Sequence, residues 1–193
     1  NRDLLPIHAA IALRNATLED HSFRTGGGAS LIGTALAATT ILVAFDFWPT
    51  STIQRTVVAC ADGTIRKDDG AGSGWVTLSS GLTMTGALPH FTEAGGEASG
   101  KNKKLFYADG VNAPRYLDGD AAVMTTMNPT TQQAADWSGN PPSWFILHEG
   151  FLFAGGCLSA GTAHTIYRCT VRGDHTDFRT ATTYSFPVFS GEE

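Results

Sequence analysis

Charged side chains are scarce in this sequence, and their scarcity limits the functions that it can have. Asp, Glu, Lys and Arg make up 16% of its 193 residues, and acidic residues outnumber basic ones by 18 to 13. Proteins that coat nucleic acid need a basic surface, so the net charge of −5 argues against that role. A surface with few charges is often covered by neighbouring subunits, so the composition favours assembly.

Cysteine is equally rare. The three cysteines, Cys60, Cys157 and Cys169, are odd in number, and no two have C-x-x-C spacing. A structural zinc site and a dense disulfide framework are therefore not expected. We expect buried free thiols, because a free cysteine behaves as a small apolar side chain.

The sequence also lacks the signs of a targeting segment or a membrane span. It opens Asn1-Arg2-Asp3 without the apolar run of a secretory leader, so we expect none. Because it opens on Asn rather than Met, we expect further residues upstream, and we expect more sequence downstream as well. Residues 29–45 carry no charge, but their β-branched half is too short to span a bilayer.

Motifs that mark catalytic, cofactor or metal sites are missing. There is no G-x-S-x-G or H-x-x-x-H pattern, and the Gly-rich segment 70–74 lacks the Lys of a phosphate-binding loop. The acidic fragments Asp68-Asp69 and Asp118-Gly119-Asp120 offer too few ligands for Ca²⁺ and are interpreted as solvated turns. We expect no enzyme, no cofactor and no metal; a hydrolase with a site assembled only in space is the last alternative.

What the sequence does contain is a short word that recurs at the end of strand-like runs. It appears as Cys60-Ala61-Asp62-Gly63, Tyr107-Ala108-Asp109-Gly110 and Phe153-Ala154-Gly155-Gly156, at intervals of 47 and 46 positions. A period of about 40–50 residues is typical of β-propeller blades. The Asp-Gly pairs are also strong hairpin signals.

The runs around these words predict an all-β fold, a β-propeller-like array of four-stranded blades with an extended N-terminal arm. We expect blade-like units at about 38–80, 84–127 and 143–190, within a domain over 31–193. Three blades do not close a propeller, which typically needs about four to eight. The chain is therefore part of a longer polypeptide, or several copies complete a ring, or the sheets stay open; we favour the first.

Residues 1–30 are predicted to form a docking arm. Few large apolar side chains follow Leu13, and the segment approaches its end with the glycines at 26–28. Such a segment cannot bury enough surface to hold itself, so we expect it to become ordered only on a neighbour.

Several motifs resemble the tail hub or nozzle proteins of short-tailed bacteriophages. They are Leu13-Arg14-Asn15, Phe23-Arg24-Thr25-Gly26-Gly27, and Tyr167-Arg168-Cys169 running on to Asp177-Phe178. Thr170 or Val171 stands where the family has Ser, a departure from its pattern.

The resemblance implies a β-propeller virion protein, made in the host cytoplasm and present in the tail. It implies a ring, usually of six copies, that contacts other tail or portal/adaptor proteins. Genomic DNA would pass through its channel without sequence-specific binding. An acidic chain is compatible with a conduit that must not hold DNA tightly.

The residues expected at interfaces are Arg14, Asn15, Phe23, Arg24, Trp48 and Trp137. Trp75 and Trp144 are assigned instead to the blade cores, where aromatic side chains are needed. The alternative function is a carbohydrate-binding β-propeller, lectin-like or receptor-binding, in which exposed tryptophans would stack on sugars. Binding of a single sugar by the isolated chain would favour that alternative.

Overall fold

The computed structural model describes the chain as an all-β protein, as the sequence predicts. The described residues are 16–19, 22–25, 36, 39–72, 74–95, 102–127, 137, 139–157, 165–179 and 184–187. Within them the chain forms fifteen strands in four antiparallel sheets. The first sheet along the chain is a hairpin of β1 (Ala16–Glu19) and β2 (Ser22–Thr25), which lies inside the segment predicted as an arm.

Three larger antiparallel sheets follow, and in each of them the first four strands pair in sequence order. Sheet I contains β3 (Ile41–Phe47), β4 (Arg55–Cys60), β5 (Ile65–Asp68) and β6 (Trp75–Ser79). Sheet II contains β7 (His90–Gly95), β8 (Lys103–Ala108), β9 (Arg115–Asp118) and β10 (Thr125–Thr126). Sheet III contains β11 (Trp144–His148), β12 (Phe151–Gly155), β13 (Thr165–Val171), β14 (Asp174–Phe178) and β15 (Ser185–Pro187), and β15 pairs with β13 beside β14.

The recurring Asp-Gly pairs form the turn that follows the second strand of sheets I and II. Gly63 and Gly110 have φ angles of 78° and 77°, in the left-handed region that favours glycine. The Asp109 carboxylate accepts hydrogen bonds from the backbone N–H groups of Val111 (2.9 Å) and Asn112 (2.7 Å), which closes an Asx-type turn. These local signals explain why the sequence predicts the strand order well.

The structural repeat differs by one residue, in sheet III, from the repeat of the short sequence motifs. Ala59 lies in the core between sheets I and II, and Phe106 occupies the corresponding place between sheets II and III. The equivalent residue of sheet III is Phe153, because its neighbour Ala154 faces back into that second core. Ala59, Phe106 and Phe153 are each 47 positions apart, so the third word is displaced by one residue from the first two.

Two apolar cores hold the three sheets together, and sheet II is buried on both faces. The first core lies between sheets I and II and comprises Phe47, Val57, Ala59, Ile65, Leu78, Leu82, Phe91, Leu105, Tyr107, Leu117 and Met124. The second lies between sheets II and III and comprises Ala94, Phe106, Ala108, Met127, Trp137, Phe145, Leu152, Ala154, Cys157, Tyr167, Cys169 and Phe178. Alternation along β8 sends Leu105 and Tyr107 to one core and Phe106 and Ala108 to the other, as strand geometry requires.

The hairpin β1–β2 was not expected within the arm, of which residues 1–15, 20–21 and 26–30 lie outside the described residues. Strand β7 continues to Gly95 because its Thr-Glu-Ala segment pairs with β8. The last strand of sheet II is short and contains only Thr125–Thr126.

Candidate assembly surface

Each large sheet has a forward face, which in sheets I and II packs on the next sheet along the chain, and an opposite, backward face. Across the forward face of sheet I, Val43 pairs with Ala59 and Ala59 with Ile65. In sheet II the equivalent row is Thr92, Phe106 and Tyr116.

In sheet III the equivalent forward row is Ile146, Phe153 and Arg168, and no described segment covers it. Ile146 is 54% exposed and Phe153 is half-buried, whereas Ala59 and Phe106 are fully buried. Phe186, on the neighbouring strand β15, is also exposed. Sheet III thus presents to its surroundings the same kind of row that sheets I and II bury.

Arg168 occupies the centre of this open face. Its guanidinium carbon lies 4.5 Å from the ring centroid of Phe151 and 5.8 Å from that of Tyr184, both suitable for cation–π attraction. Its Nε is buried without a hydrogen-bond partner among the described residues. The centre of this face is therefore apolar and aromatic, with the guanidinium of Arg168 lying flat on it, and the Asp177–Arg179 ion pair lies at its β14 side.

The backward face of sheet I lies at the other end of the stack. Its central row runs from Ala44 through Val58 and Arg66 to Thr77. Ala44 and Thr77 are exposed and Val58 is buried. Asp62 forms an ion pair with Arg66 at 2.8 Å, and the exposed Asp46 adds a further negative charge to this face.

An ion network clamps sheet I to sheet II. The carboxylate of Asp120, in the loop between β9 and β10, accepts hydrogen bonds from Arg55 Nε at 2.9 Å and from Arg55 Nη2 at 2.5 Å. It accepts a third from Lys67 Nζ at 2.5 Å. The Lys67 ammonium also donates to the carbonyls of Asp120 and Ala121 at 2.8 and 2.9 Å. The hydrogen bond from Arg55, followed by that from Lys67, holds the pKa of Asp120 below its usual value. The loop is an exposed turn, as predicted, but Asp120 also has a structural role in joining the two sheets.

A second polar network fixes the connector between the two sheets. The buried Asp109 carboxylate accepts hydrogen bonds from the Tyr107 hydroxyl at 2.7 Å and from the Asn112 amide at 2.6 Å. Asn112 and Thr83 exchange two further hydrogen bonds at 2.8 and 2.9 Å. Burial, followed by the Asp109 contact, raises the pKa of Tyr107 far above its ordinary value. The hydrogen bonds of Asp109 and Tyr107 therefore stabilise the fold at this connector.

The residues expected at interfaces are distributed differently in the structure. Arg14 and Asn15 lie outside the described residues. In the hairpin, Phe23 pairs with Leu18 and Arg24 with Thr17. Trp48 is 42% exposed, and its backbone N–H lies 3.5 Å from a carboxylate oxygen of Glu93.

Trp137 requires a correction, because the structure buries it in the second core with only 3% exposure. Its ring lies 5.0 Å from Phe178 and 5.7 Å from Tyr167, centroid to centroid. A polar connector carries it, which favoured a surface position, but aromatic neighbours from strands β13 and β14 form its environment. Trp144, by contrast, was assigned to a core and is only half-buried, on the forward face of sheet III against Gly155.

The described residues offer no cluster of metal-binding side chains. No group of three or more His, Cys, Asp or Glu residues within them could hold a metal ion. All three cysteines are buried and none of them forms a disulfide, as predicted, and burial raises the pKa of the Cys60 thiol, which makes it a poor nucleophile.

His175 is buried with its Nε2 3.0 Å from the Gly150 carbonyl oxygen, a contact that joins β14 to the turn between β11 and β12.

Within the described part of the chain, no helix is long and apolar enough to cross a membrane. No protein-family model, curated protein or solved structure matches the chain.

Proposed function

We propose that this chain is a structural, non-enzymatic component of a bacteriophage tail, of the hub or nozzle type. The observation that carries the proposal is the repetition of one antiparallel sheet at a 47-residue interval, each sheet packed face to face on the one before. A repeated sheet that leaves an apolar face uncovered is suited to building an assembly. The motifs that resemble tail hub proteins supply the biological setting.

The finer arrangement that we propose is propeller-like. The first strand of sheet II contacts the first strands of both sheets I and III, so β3, β7 and β11 are successive neighbours. In a propeller the first strands of successive blades lie side by side around the central channel. A density map of the assembled particle in which these strands face away from the channel would contradict this arrangement.

The polar groups of the described chain support a scaffold rather than an enzyme. The buried carboxylate of Asp109 and the buried ammonium of Lys67 are engaged in holding sheets and connectors together. We propose that the ring encloses a channel for genomic DNA, contacts neighbouring tail or portal/adaptor proteins, and binds DNA without sequence preference. Its acidic net charge would keep such binding weak.

The direct test is to locate the protein in virions. An antibody against the purified chain should label the tail of particles that carry the gene, and electron microscopy of those particles should show a ring at the labelled position. Labelling of the capsid alone, or of no virion at all, would refute the proposal.

A second test concerns the arm. Deletion of residues 1–28 removes the hairpin β1–β2 but should leave the circular dichroism signal of the three larger sheets intact. It should abolish incorporation into particles, because the arm is proposed to dock on a neighbour. Incorporation at normal copy number would show that the arm has no docking role. Loss of the sheet signal would show that the arm belongs to the folded domain.

One observation favours the alternative of a carbohydrate-binding module. Trp48 exposes 42% of its surface near the Glu93 carboxylate, and an exposed indole beside a hydrogen-bonding group can stack on a sugar ring. A glycan array separates the two functions: selective binding that is lost in Trp48→Ala would favour the carbohydrate-binding protein, whereas a tail scaffold should show none.

A further inference from the structure

The ammonium of Lys67 lies in a cage of oxygen atoms that a single loop provides. Lys67 extends from β5 of sheet I and is 5% exposed. Its Nζ donates to Oδ1 of Asp120 at 2.5 Å, to the Asp120 carbonyl at 2.8 Å and to the Ala121 carbonyl at 2.9 Å. An ammonium has three donors, so this loop of sheet II satisfies all of them.

The cage is held in shape by contacts that do not involve Lys67. The Ala121 N–H donates to the Asp118 carbonyl at 3.2 Å, which closes the backbone of the loop into a turn. Arg55 donates to both carboxylate oxygens of Asp120, at 2.9 and 2.5 Å. The oxygen atoms are therefore already in place for a cation, and the cage should persist when the Lys67 side chain is removed.

The surroundings of the Lys67 stem set the chemical class that the site accepts. Side chains alternate along β5, so Lys67 lies on the same face as Ile65, which belongs to the first core. Its partner on β4 is the buried Val57 of that core. The site is thus an apolar slot that ends in three oxygen acceptors. That combination fits a primary alkylammonium, whereas a metal ion has no group for the slot and a quaternary ammonium has no N–H donor.

We propose that this loop of sheet II is a binding site for a primary ammonium group, and that Lys67 is its ligand, supplied by sheet I. The proposal is independent of the tail assignment. It differs from a simple ion pair in what can replace the lysine. Lys67→Arg keeps the charge but presents its donors in a planar fork, so it should not restore wild-type stability. A free amine, by contrast, should occupy the cage of a chain that lacks the lysine side chain.

The test is rescue of Lys67→Ala with n-propylammonium, which reproduces the atoms from Cγ to Nζ that the substitution removes. The amine should stabilise this variant against denaturant with a saturable dependence on concentration. At about ten times its dissociation constant, it should raise the ratio of folded to unfolded chain roughly tenfold. A variant that is partly unfolded without the amine gives the same readout, because the amine then increases the folded fraction measured by circular dichroism.

Three controls separate binding at the cage from a general effect of the salt. Tetramethylammonium carries the same charge without an N–H donor and should not rescue Lys67→Ala. Lys104→Ala should not respond to n-propylammonium, because Lys104 pairs at 3.5 Å with the Asp118 carboxylate, which is 48% exposed. The wild-type chain should not respond either, since Lys67 already fills its cage.

Saturation-transfer NMR supplies a direct readout of the bound amine. The protons of n-propylammonium should show contact with Lys67→Ala and none with the wild-type chain. Absence of rescue in Lys67→Ala would overturn the proposal, as would equal effects of the two ammonium ions or an equal response of Lys104→Ala. Wild-type stability in Lys67→Arg would also overturn it, because charge alone would then account for the contact.

Discussion

The ion network between sheets I and II gives the sharpest prediction of stability. In Asp120→Asn the side chain keeps its shape but loses its charge, so the Arg55 guanidinium and the Lys67 ammonium face each other without a carboxylate between them. The Lys67 side chain is only 7% exposed, so solvent cannot compensate fully, although its two carbonyl contacts remain. Breaking a fully buried pair costs about 3–5 kcal/mol. Because the Asp120 side chain is 29% exposed, we expect a smaller loss, about 2–3 kcal/mol.

The assay is thermal or denaturant unfolding of the full chain beside a control variant at the end of β9. A loss of about 2–3 kcal/mol should lower the Tm by roughly 5–10 °C for a chain of this size. Asp118→Asn makes the same chemical change two residues away, where the carboxylate is 48% exposed and lies 3.5 Å from Lys104. That pair is a surface ion pair, so its loss should cost about 0–1 kcal/mol. Equal effects of the two substitutions would refute the clamp.

The pH dependence supplies a second check on the same network. The folded-state pKa of Asp120 is lowered, so its contribution to stability is complete above the unfolded-state pKa of about 4 and is lost as the pH falls through the folded-state value. The difference in stability between wild type and Asp120→Asn should therefore be constant near neutral pH and shrink in acid. A difference that grows on acidification would contradict the assignment.

Three further outcomes follow from the packing. Phe106→Ala should lower the free energy of unfolding by about 3–5 kcal/mol, since the fully buried ring packs 5.6 Å from the Phe145 ring in the second core; denaturant unfolding measures this. Gly63→Ala should cost at least about 2 kcal/mol in the same assay, because φ is positive there and the added methyl group would clash with the Leu82 carbonyl. None of the three thiols should react with a thiol reagent in the native chain, and all three should react in denaturant; rapid labelling of one in the native state would show that it is accessible.

The sequence predicts the local part of this fold well. Side chains of β3 alternate between the two faces of the sheet, and the Asp62-Gly63 pair forms a tight turn after β4. Alternation and turn residues are both local signals, because they act over a few residues and do not depend on the rest of the protein. The same holds for β12, which ends at Gly155-Gly156. Tertiary packing keeps the strands and turns that local propensity and turn chemistry specify.

Features that depend on contacts between residues far apart in the chain could not be predicted from the sequence. Asp120 lies 53 positions from Lys67, and nothing near either residue indicates that the two will meet. The prediction of a surface position for Trp137 is wrong for the same reason, since its aromatic neighbours Tyr167 and Phe178 belong to strands that lie much later in the sequence. Lys67 gives a signal of the ion network, because it lies at an inward position of β5 and a buried ammonium needs a partner.

The forward face of sheet III is partly shielded by its own side chains. Arg168 lays its guanidinium over the Phe151 ring, so an amphipathic side chain shields aromatic surface that a neighbouring sheet would otherwise cover. Ile146 has no such cover and remains more than half exposed. Sheet II has Tyr116 in the position that Arg168 takes in sheet III, and Tyr116 packs, partly buried, against the second core. The exchange of a tyrosine for an arginine at equivalent positions therefore places a charge where no described sheet packs on the row.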